Sequence, residues 1–367
     1  MEPIRRVKET LPLYTNWSFY EFFSGVGLAR LALEPQWNCV WANDIDPKKS
    51  EIYKAEFGDD DFRLGDIRGI EIDSFPPKAD LAWASFPCQD LSLAGWRRGM
   101  SARRSGTFWA FWRILRSLTE KNDRPPIVVI ENVPGLLYGS NFLGLAEALT
   151  SLGMQFGAMV LDARWFLPQS RPRVFVVAVD ATMDCSRFID HMPEGRPWFP
   201  KAVENARANL PPHLASYWRW WQLPPICATV PTIDSVLEIG DPAVKWDNWD
   251  KTHRLLSLMN QTHIRKVDQA LKKEGRAIGF VYKRTRNGSQ RAEVRFDGVA
   301  GCLRAPGGGS SRQTVLLVEK GSVRSRLLST REAARIMGVP DSFWLPDSYN
   351  DAYRRAIASH RDNTLRR

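Results

Sequence analysis

The chain has no pair of cysteines at metal-binding or disulfide spacing: its five (Cys39, Cys88, Cys185, Cys227, Cys302) are scattered, odd in number and without a Cys-x-x-Cys motif. That argues against a disulfide-stapled scaffold and against a zinc site. No apolar run approaches the length of a membrane span, and no signal-peptide core follows residues 1–8. A reducing cytoplasm, with no membrane association, is therefore the expected setting, and it would keep a working thiol reduced. Internal repeats and long low-complexity tracts are also missing. Acidic residues are in deficit, 41 Asp and Glu against 51 Lys and Arg, for a formal net charge of +10. Such a balance favours a polyanionic partner, because each phosphate neutralised by Lys or Arg releases counterions, although a merely basic enzyme shares it. What is plentiful is apolar: 44% hydrophobic residues in 367 suffice for one large domain and a smaller one.

The chain is organised around Ser85-Phe86-Pro87-Cys88-Gln89, a polar turn after the apolar run 79–84. Bounded by prolines on both sides, that run predicts a buried strand of a parallel sheet whose carboxyl end delivers Cys88. Ligands of open α/β sheets bind at that end. A lone cysteine is usually a small buried hydrophobe, so the weight rests on its company.

Upstream, residues 18–23 predict a first strand and 26–33 a helix, joined through Phe23-Ser24-Gly25-Val26-Gly27. Glycines there let backbone N–H groups approach a ligand, and a helix start favours an anionic group. A second strand, 38–42, ends in Asn43-Asp44-Ile45-Asp46-Pro47, and a third, 61–64, ends in Gly65-Asp66-Ile67. Asp46, and less so Asp44, could simply cap a helix. Three successive strand ends carrying a glycine turn, an acid and an acid nevertheless suit a nucleoside, with Ile45 or Ile67 against its base.

Downstream, the helical spacing of Phe108, Phe111, Trp112, Leu115 and Leu118 predicts a core-facing helix over 105–121. Residues 127–130 predict a fully apolar strand presenting Glu131 at its end, as a structural ion pair or a working carboxylate. A further helix is predicted over 141–153, and 156–163 with 174–179 read as paired strands flanking Gln169-Ser170-Arg171-Pro172-Arg173. Strand alternation puts Arg171 and Arg173 on one face. From about 181 prolines and tryptophans become frequent; Trp198, Trp218, Trp220, Trp221, Trp246 and Trp249 are expected to form the small core of an irregular second domain. Residues 272–295 are strongly basic, and 307–311 form a glycine-rich loop. A strand at 315–318 precedes a capping box, Ser329 and Glu332, for a helix that runs through Met337 and stops at Gly338.

In their order and over nearly the whole chain, these motifs resemble the DNA cytosine-5 methyltransferase family of bacterial restriction–modification type. Phe23, Ser24, Gly25 and Gly27 match the family's cofactor loop; Asp44, Ile45, Asp66 and Ile67 match its positions around adenosine. Pro87-Cys88-Gln89 matches the nucleophile motif, and Glu131-Asn132-Val133 and Gln169-x-Arg171-x-Arg173 the two further active-site motifs. The resemblance implies an α/β fold of the S-adenosylmethionine-dependent, Rossmann-like kind: a mixed sheet with helices on both faces, plus a small irregular target-recognition domain. The corresponding divisions are 1–180 catalytic and cofactor-binding, 181–318 target-recognising, and 319–367 returning to the catalytic domain. Implied too are S-adenosylmethionine as cofactor, Pro87 beside it, and double-stranded DNA as substrate met by Gln89, Arg304 and Arg312. A monomer is expected, with a restriction endonuclease as a separately acting counterpart.

The chemistry follows from cytosine itself. C5 is a poor nucleophile, and a thiolate adding at C6 makes it enamine-like. Cys88 would be that nucleophile, Arg171 would favour its thiolate, Glu131 would hold N3 and the exocyclic amine, and Arg173 would steady the O2 edge. The target base would be flipped from the duplex. Two departures from the family stand out: Leu28 replaces a common glycine, and residues 354–367 are polar and basic where a Gly-Asn/Asp-x-Val-type segment would pack on the cofactor loop. Weakened cofactor binding is the expectation there, which keeps a catalytically silent DNA-binding relic as a rival. Methylation of RNA cytosine is another rival, and a nicotinamide dehydrogenase, which only the glycine turn permits, is the weakest.

Overall fold

β1 (Ser18–Phe22) is buried along nearly its whole length, which is why its sequence does not alternate between apolar and polar residues. It pairs in parallel with β2 (Asn38–Asp44) on one side and β4 (Leu81–Ala84) on the other. The computed structural model describes residues 17–34, 36–87, 106–226, 229–286, 288–303 and 312–346, the side chain of Arg286 excepted. Its larger sheet has the order β3-β2-β1-β4-β5-β7-β6, with β3 at Phe62–Leu64, β5 at Ile127–Asn132, β6 at Met154–Asp162 and β7 at Pro172–Asp180. Strands β3 to β5 run parallel, whereas β7 is antiparallel to both β5 and β6. The sheet is thus mixed, as expected, and 172–180 with 154–162 form the predicted pair.

Helices cover both faces of this sheet. Tyr20, Phe22 and Trp41 face the core shared with α3 (Thr107–Glu120) and α4 (Ser140–Thr150). Phe19, Cys39, Ala42 and Phe62 face the smaller core under α2 (Pro47–Phe57), which follows α1 (Leu28–Leu33). Cys39 and Trp41 reach opposite faces although two residues apart, because the β1–β2 register slips by one residue between Phe19 and Tyr20. Such a bulge re-aims every side chain beyond it.

The tryptophans depart from expectation. Trp198, Trp218 and Trp221 are buried in the core of the larger sheet, with Trp220 packed against it. Trp218 packs edge-on against Phe142 and Phe156, and the Trp221 indole N–H donates to the Val177 carbonyl at 3.0 Å. These four therefore do not form the core of a separate domain; their segment, with α5 (Lys201–Ala208) and α6 (Pro212–Ala215), closes the β6–β7 end of the large sheet. Trp249 is exposed.

After α7 (Ile233–Val236), α8 (Trp249–Ser257) and α9 (Gln261–Leu271) comes a second, antiparallel sheet of order β11-β10-β8-β9: β8 Arg276–Arg286, β9 Ser289–Arg295, β10 Thr314–Glu319, β11 Ser322–Leu327. Alternation sorts its side chains. Ile278, Phe280, Val315 and Leu317 face α7 and α10 (Thr330–Ile336), while Val281, Val294 and Leu316 face α8 and α9. The first of these cores also contains Val26 and Ile52 of the large-sheet unit, so α10 is the joint between the two sheets. The predicted capping box is present, Ser329 and Glu332 each bonding the other's backbone N–H, and Gly338 takes the left-handed conformation (φ 78°) at the helix stop.

Candidate active site

Three parallel strands, β3, β2 and β1, end side by side, and their ends are laced together. Beyond β1 the chain turns through Phe23 (φ 57°), Gly25 (φ 61°) and Gly27 (φ 81°), all left-handed. For Phe23 that conformation is unusual, and it brings the ring edge-on to buried Phe86, 6.3 Å away. Gly27 is required twice over. Its φ disfavours a side chain, and a Cβ there would stand 2.4 Å from the Phe57 ring.

Ser24 N–H donates to the Asn43 carbonyl (2.9 Å) and Gly25 N–H to Asp44 Oδ2 (2.8 Å). The other Asp44 oxygen, Oδ1, accepts from Asp46 N–H at 2.9 Å. Asn43 reaches the opposite way, its amide donating to the Arg63 and Gly65 carbonyls at 2.7 and 2.9 Å. The β2 end thus fixes both neighbours. Asp46 caps α2 through Lys48 N–H at 2.9 Å, the simpler of the two roles foreseen for it. Asp66 caps its own turn through Arg68 N–H and forms an ion pair with the Arg68 guanidinium, whose hydrogen bonds hold the carboxyl below its ordinary value. Ile67 is buried and Ile45 half exposed beside Asp44.

This donor set suits a nucleoside. Each oxygen of Asp44 keeps a lone pair for a hydroxyl, and Ile45 offers uncovered apolar surface. Glu21, on β1 beneath the turn, is buried; one oxygen accepts Arg30 N–H at 3.3 Å and the other has no partner among the described residues. Burial pushes its carboxyl up to about 8.

The central strands β4 and β5 end next to this lacework. Asn132 ties them together, its amide donating to the Phe86 carbonyl at 3.0 Å and its oxygen accepting Val133 N–H at 2.9 Å. Glu131, at the end of β5, pairs with Arg173 Nε at 2.9 Å, and both side chains are mostly covered. Arg171 stands beside Arg173, with Nη1 3.5 Å from Cys302 Sγ; Arg173 Nη2 lies 4.0 Å from the same sulfur. Burial, and then the like charge of Arg173, lower the pKa of Arg171 from its ordinary value.

Glu131, Arg171 and Arg173 are therefore brought together: the two arginines lie side by side, as the alternation predicts, and the ion pair to Arg173 adds Glu131. The chain is described up to Pro87, exposed just beyond β4; Cys88, Gln89 and Arg304 lie outside the described residues, as do 307–311 and 354–367. Arg312 is half-buried before β10, next to Gln313, whose amide donates to the Val281 carbonyl at 3.0 Å. Two contributors escape a linear reading. Asn43 is flagged only by its place before Asp44, and Cys302 by nothing local, since it arrives through the bridge that pairs Gln169 with Ala300.

A mixed seven-stranded sheet with β7 antiparallel between β5 and β6, and polar groups gathered at the ends of its central strands, defines an α/β enzyme of the methyltransferase fold. The fold likeness extends over most of the chain. The S. pombe Dnmt2 methyltransferase structure matches with a TM-score of 0.53 at 18% identity, covering 92% of both chains. The structure of a Spodoptera frugiperda DNMT2 mutant matches with 0.55 at 16%, covering 94% of this chain and 95% of that one.

The model of the C-5 cytosine-specific DNA methylase family matches residues 17–358, and the chain belongs to that family. It is 29% identical over 346 residues to the Type II methyltransferase M.HhaI of Haemophilus parahaemolyticus, across 93% of this chain and 89% of that protein. To M.DsaV of Dactylococcopsis salina, also a Type II methyltransferase, it is 26% identical, across 92% of this chain and 80% of the relative. The protein is thus a DNA cytosine-5 methyltransferase. Among the described residues no helix is long and apolar enough to cross a membrane, and no cluster of His, Cys, Asp and Glu is arranged to hold a metal.

Proposed function

We propose that this chain methylates C5 of cytosine within a short specific sequence of double-stranded DNA, on a base flipped out of the helix and held covalently by Cys88 at C6. The observation that carries the reading is the convergence of Glu131, Arg171 and Arg173 at the carboxyl ends of the central strands, beside the laced strand ends. Glu131 meets N3 and the exocyclic amine, and its bond to Arg173 holds the carboxylate in place. Arg173 faces the O2 edge, where negative charge grows as sulfur attacks, and Arg171 favours the Cys88 thiolate. S-adenosylmethionine, when bound, supplies the electrophilic methyl group. Gly25 and Gly27 with Phe23 and Ser24 would form its cradle, Asp44 would meet its ribose, Asp66, Ile45 and Ile67 would line the place of its base, and Pro87 would border it.

Of the span 181–318 read as target-recognising, we place recognition in the part that does not pack on the large sheet, α8, α9 and the β8–β9 hairpin, and we assign Arg304 and Arg312 to DNA as well. Exposed Lys272, Lys273 and Arg291 suit phosphates there, whereas Arg295 is paired with Asp297 and Arg276 with Glu319. Gln89 is assigned to DNA beside the flipped base. In this reading the enzyme acts as a monomer, with a restriction endonuclease of the same specificity as a separate protein. The test is covalent capture on duplex DNA carrying 5-fluorocytosine in the presence of the methyl donor, with tRNA as a competing acceptor. Capture by the wild type and none by Cys88→Ser is expected. Capture by the serine variant, or transfer to tRNA alone, contradicts the reading.

A further inference from the structure

We propose that Cys302 is a positioning residue for methyl transfer, acting through Arg171 and Arg173; this rests on the reading of those two arginines as active-site groups. The Cys302 sulfur accepts from Arg171 Nη1 at 3.5 Å and from Arg173 Nη2 at 4.0 Å, and lies 3.8 Å from the Leu303 carbonyl. Arg173 Nε is at the same time bonded to Glu131 at 2.9 Å. A continuous series of contacts therefore runs Glu131, Arg173, Cys302, Arg171.

Physical chemistry gives that sulfur a task. Two guanidinium groups placed side by side repel one another, and Arg171 carries the desolvation cost as well. Its guanidinium has several N–H donors, and among the described residues the Cys302 sulfur is the acceptor they reach. Sulfur is a soft, polarizable acceptor that serves both arginines without the bidentate grip of a carboxylate. A carboxylate at this place would compete with Glu131 for Arg173, whereas a methyl group would leave the like charges with nothing between them. The thiol holds the pair together yet leaves most of their donors for the substrate.

Its placement is built into the seam between the two sheets. Ser170 N–H donates to the Ala300 carbonyl and Ala300 N–H to the Pro168 carbonyl, both at 2.8 Å, so the segment carrying Cys302 is clipped onto the one carrying Arg171. The chain leaving the β8–β9 hairpin thus supplies the part that sets the arginines, and Cys302 links the unit assigned to recognition with the groups assigned to chemistry.

The contact can be read without methyl transfer. In Cys88→Ser protein, the rate at which iodoacetamide alkylates Cys302, mapped by mass spectrometry, should fall about fivefold on adding Arg171→Met, because the guanidinium favours the thiolate. An unchanged rate in a variant with wild-type melting behaviour overturns the proposal. For the consequence, Cys302→Ala in the otherwise native enzyme should slow single-turnover transfer about tenfold, the worth of one hydrogen bond to a charged group, with KM for DNA little changed. Cys302→Ser, which keeps an acceptor at nearly the same size, should restore most of that loss. Equal losses in both variants, or none in alanine, overturn it. A wild type that transfers nothing to duplex DNA counts instead against the functional reading, since alkylation reports on the contact alone.

Discussion

Glu131 has one described ionic partner, Arg173, and the two side chains are covered to the same extent. Removing the carboxylate's charge while keeping its shape separates chemistry from binding. Glu131→Gln should lower single-turnover transfer by about 10²- to 10³-fold, the usual consequence of losing one group that stabilises developing charge, while DNA affinity changes far less. A parallel loss of DNA affinity would make the residue a mere strut. Glu21 gives a different kind of prediction. Its folded pKa, pushed up to about 8 by burial, lies above the ordinary 4.5, so the native state keeps a proton that the unfolded chain releases. Its contribution to stability is complete below about 4.5 and is lost as pH climbs toward about 8. Glu21→Gln removes that dependence. The melting temperature of the variant should rise relative to wild type between pH 5 and pH 8.5, where about 1 kcal/mol corresponds to roughly 2–4 °C in a large domain. A difference that stays constant across that range contradicts the assignment.

Asn43 shows how one short segment controls several elements. It braces the end of β3 through two carbonyls while its own carbonyl receives Ser24 of the glycine turn, and Asp44 receives Gly25. Asn43→Ala would remove two hydrogen bonds to part-buried carbonyls, at about 0.5–1.5 kcal/mol each. Its melting temperature should fall by several degrees and its S-adenosylmethionine affinity should weaken; unchanged affinity by calorimetry would detach the lacework from the cofactor. Elements of this kind are legible in the sequence where the physics is local. Strands β1, β2 and β5 are apolar runs with turn chemistry after them, and α10 has a capping box at one end and Gly338 at the other. Other features are set from afar. Trp218 and Trp221 sit in a segment without periodicity because their partners, Phe142, Phe156 and Val177, belong to α4, β6 and β7. The helices α8 and α9 are not anticipated by the linear reading, and Cys302 reaches the arginines only through pairing between residues more than a hundred positions apart.

The two sheets meet through α10 and through the Gln169–Ala300 bridge, so the groups that would read DNA and the groups that would act on it share one frame. A formal charge of +10 makes the electrostatic part of DNA binding large. The logarithm of affinity for duplex DNA should fall linearly with the logarithm of salt, and replacing Arg291 by Ala should reduce the slope by about one if it contacts a phosphate; an unchanged slope would move the interface away from the β8–β9 hairpin. The most direct measurement of methyl transfer is base-resolution bisulfite sequencing of plasmid DNA from a methylation-free host expressing the protein, with Cys88→Ser as control. Full protection of one cytosine in every copy of a single short motif is expected, and none with the serine variant. Soluble wild-type protein that leaves every cytosine convertible, or protection that survives in the serine variant, would contradict it.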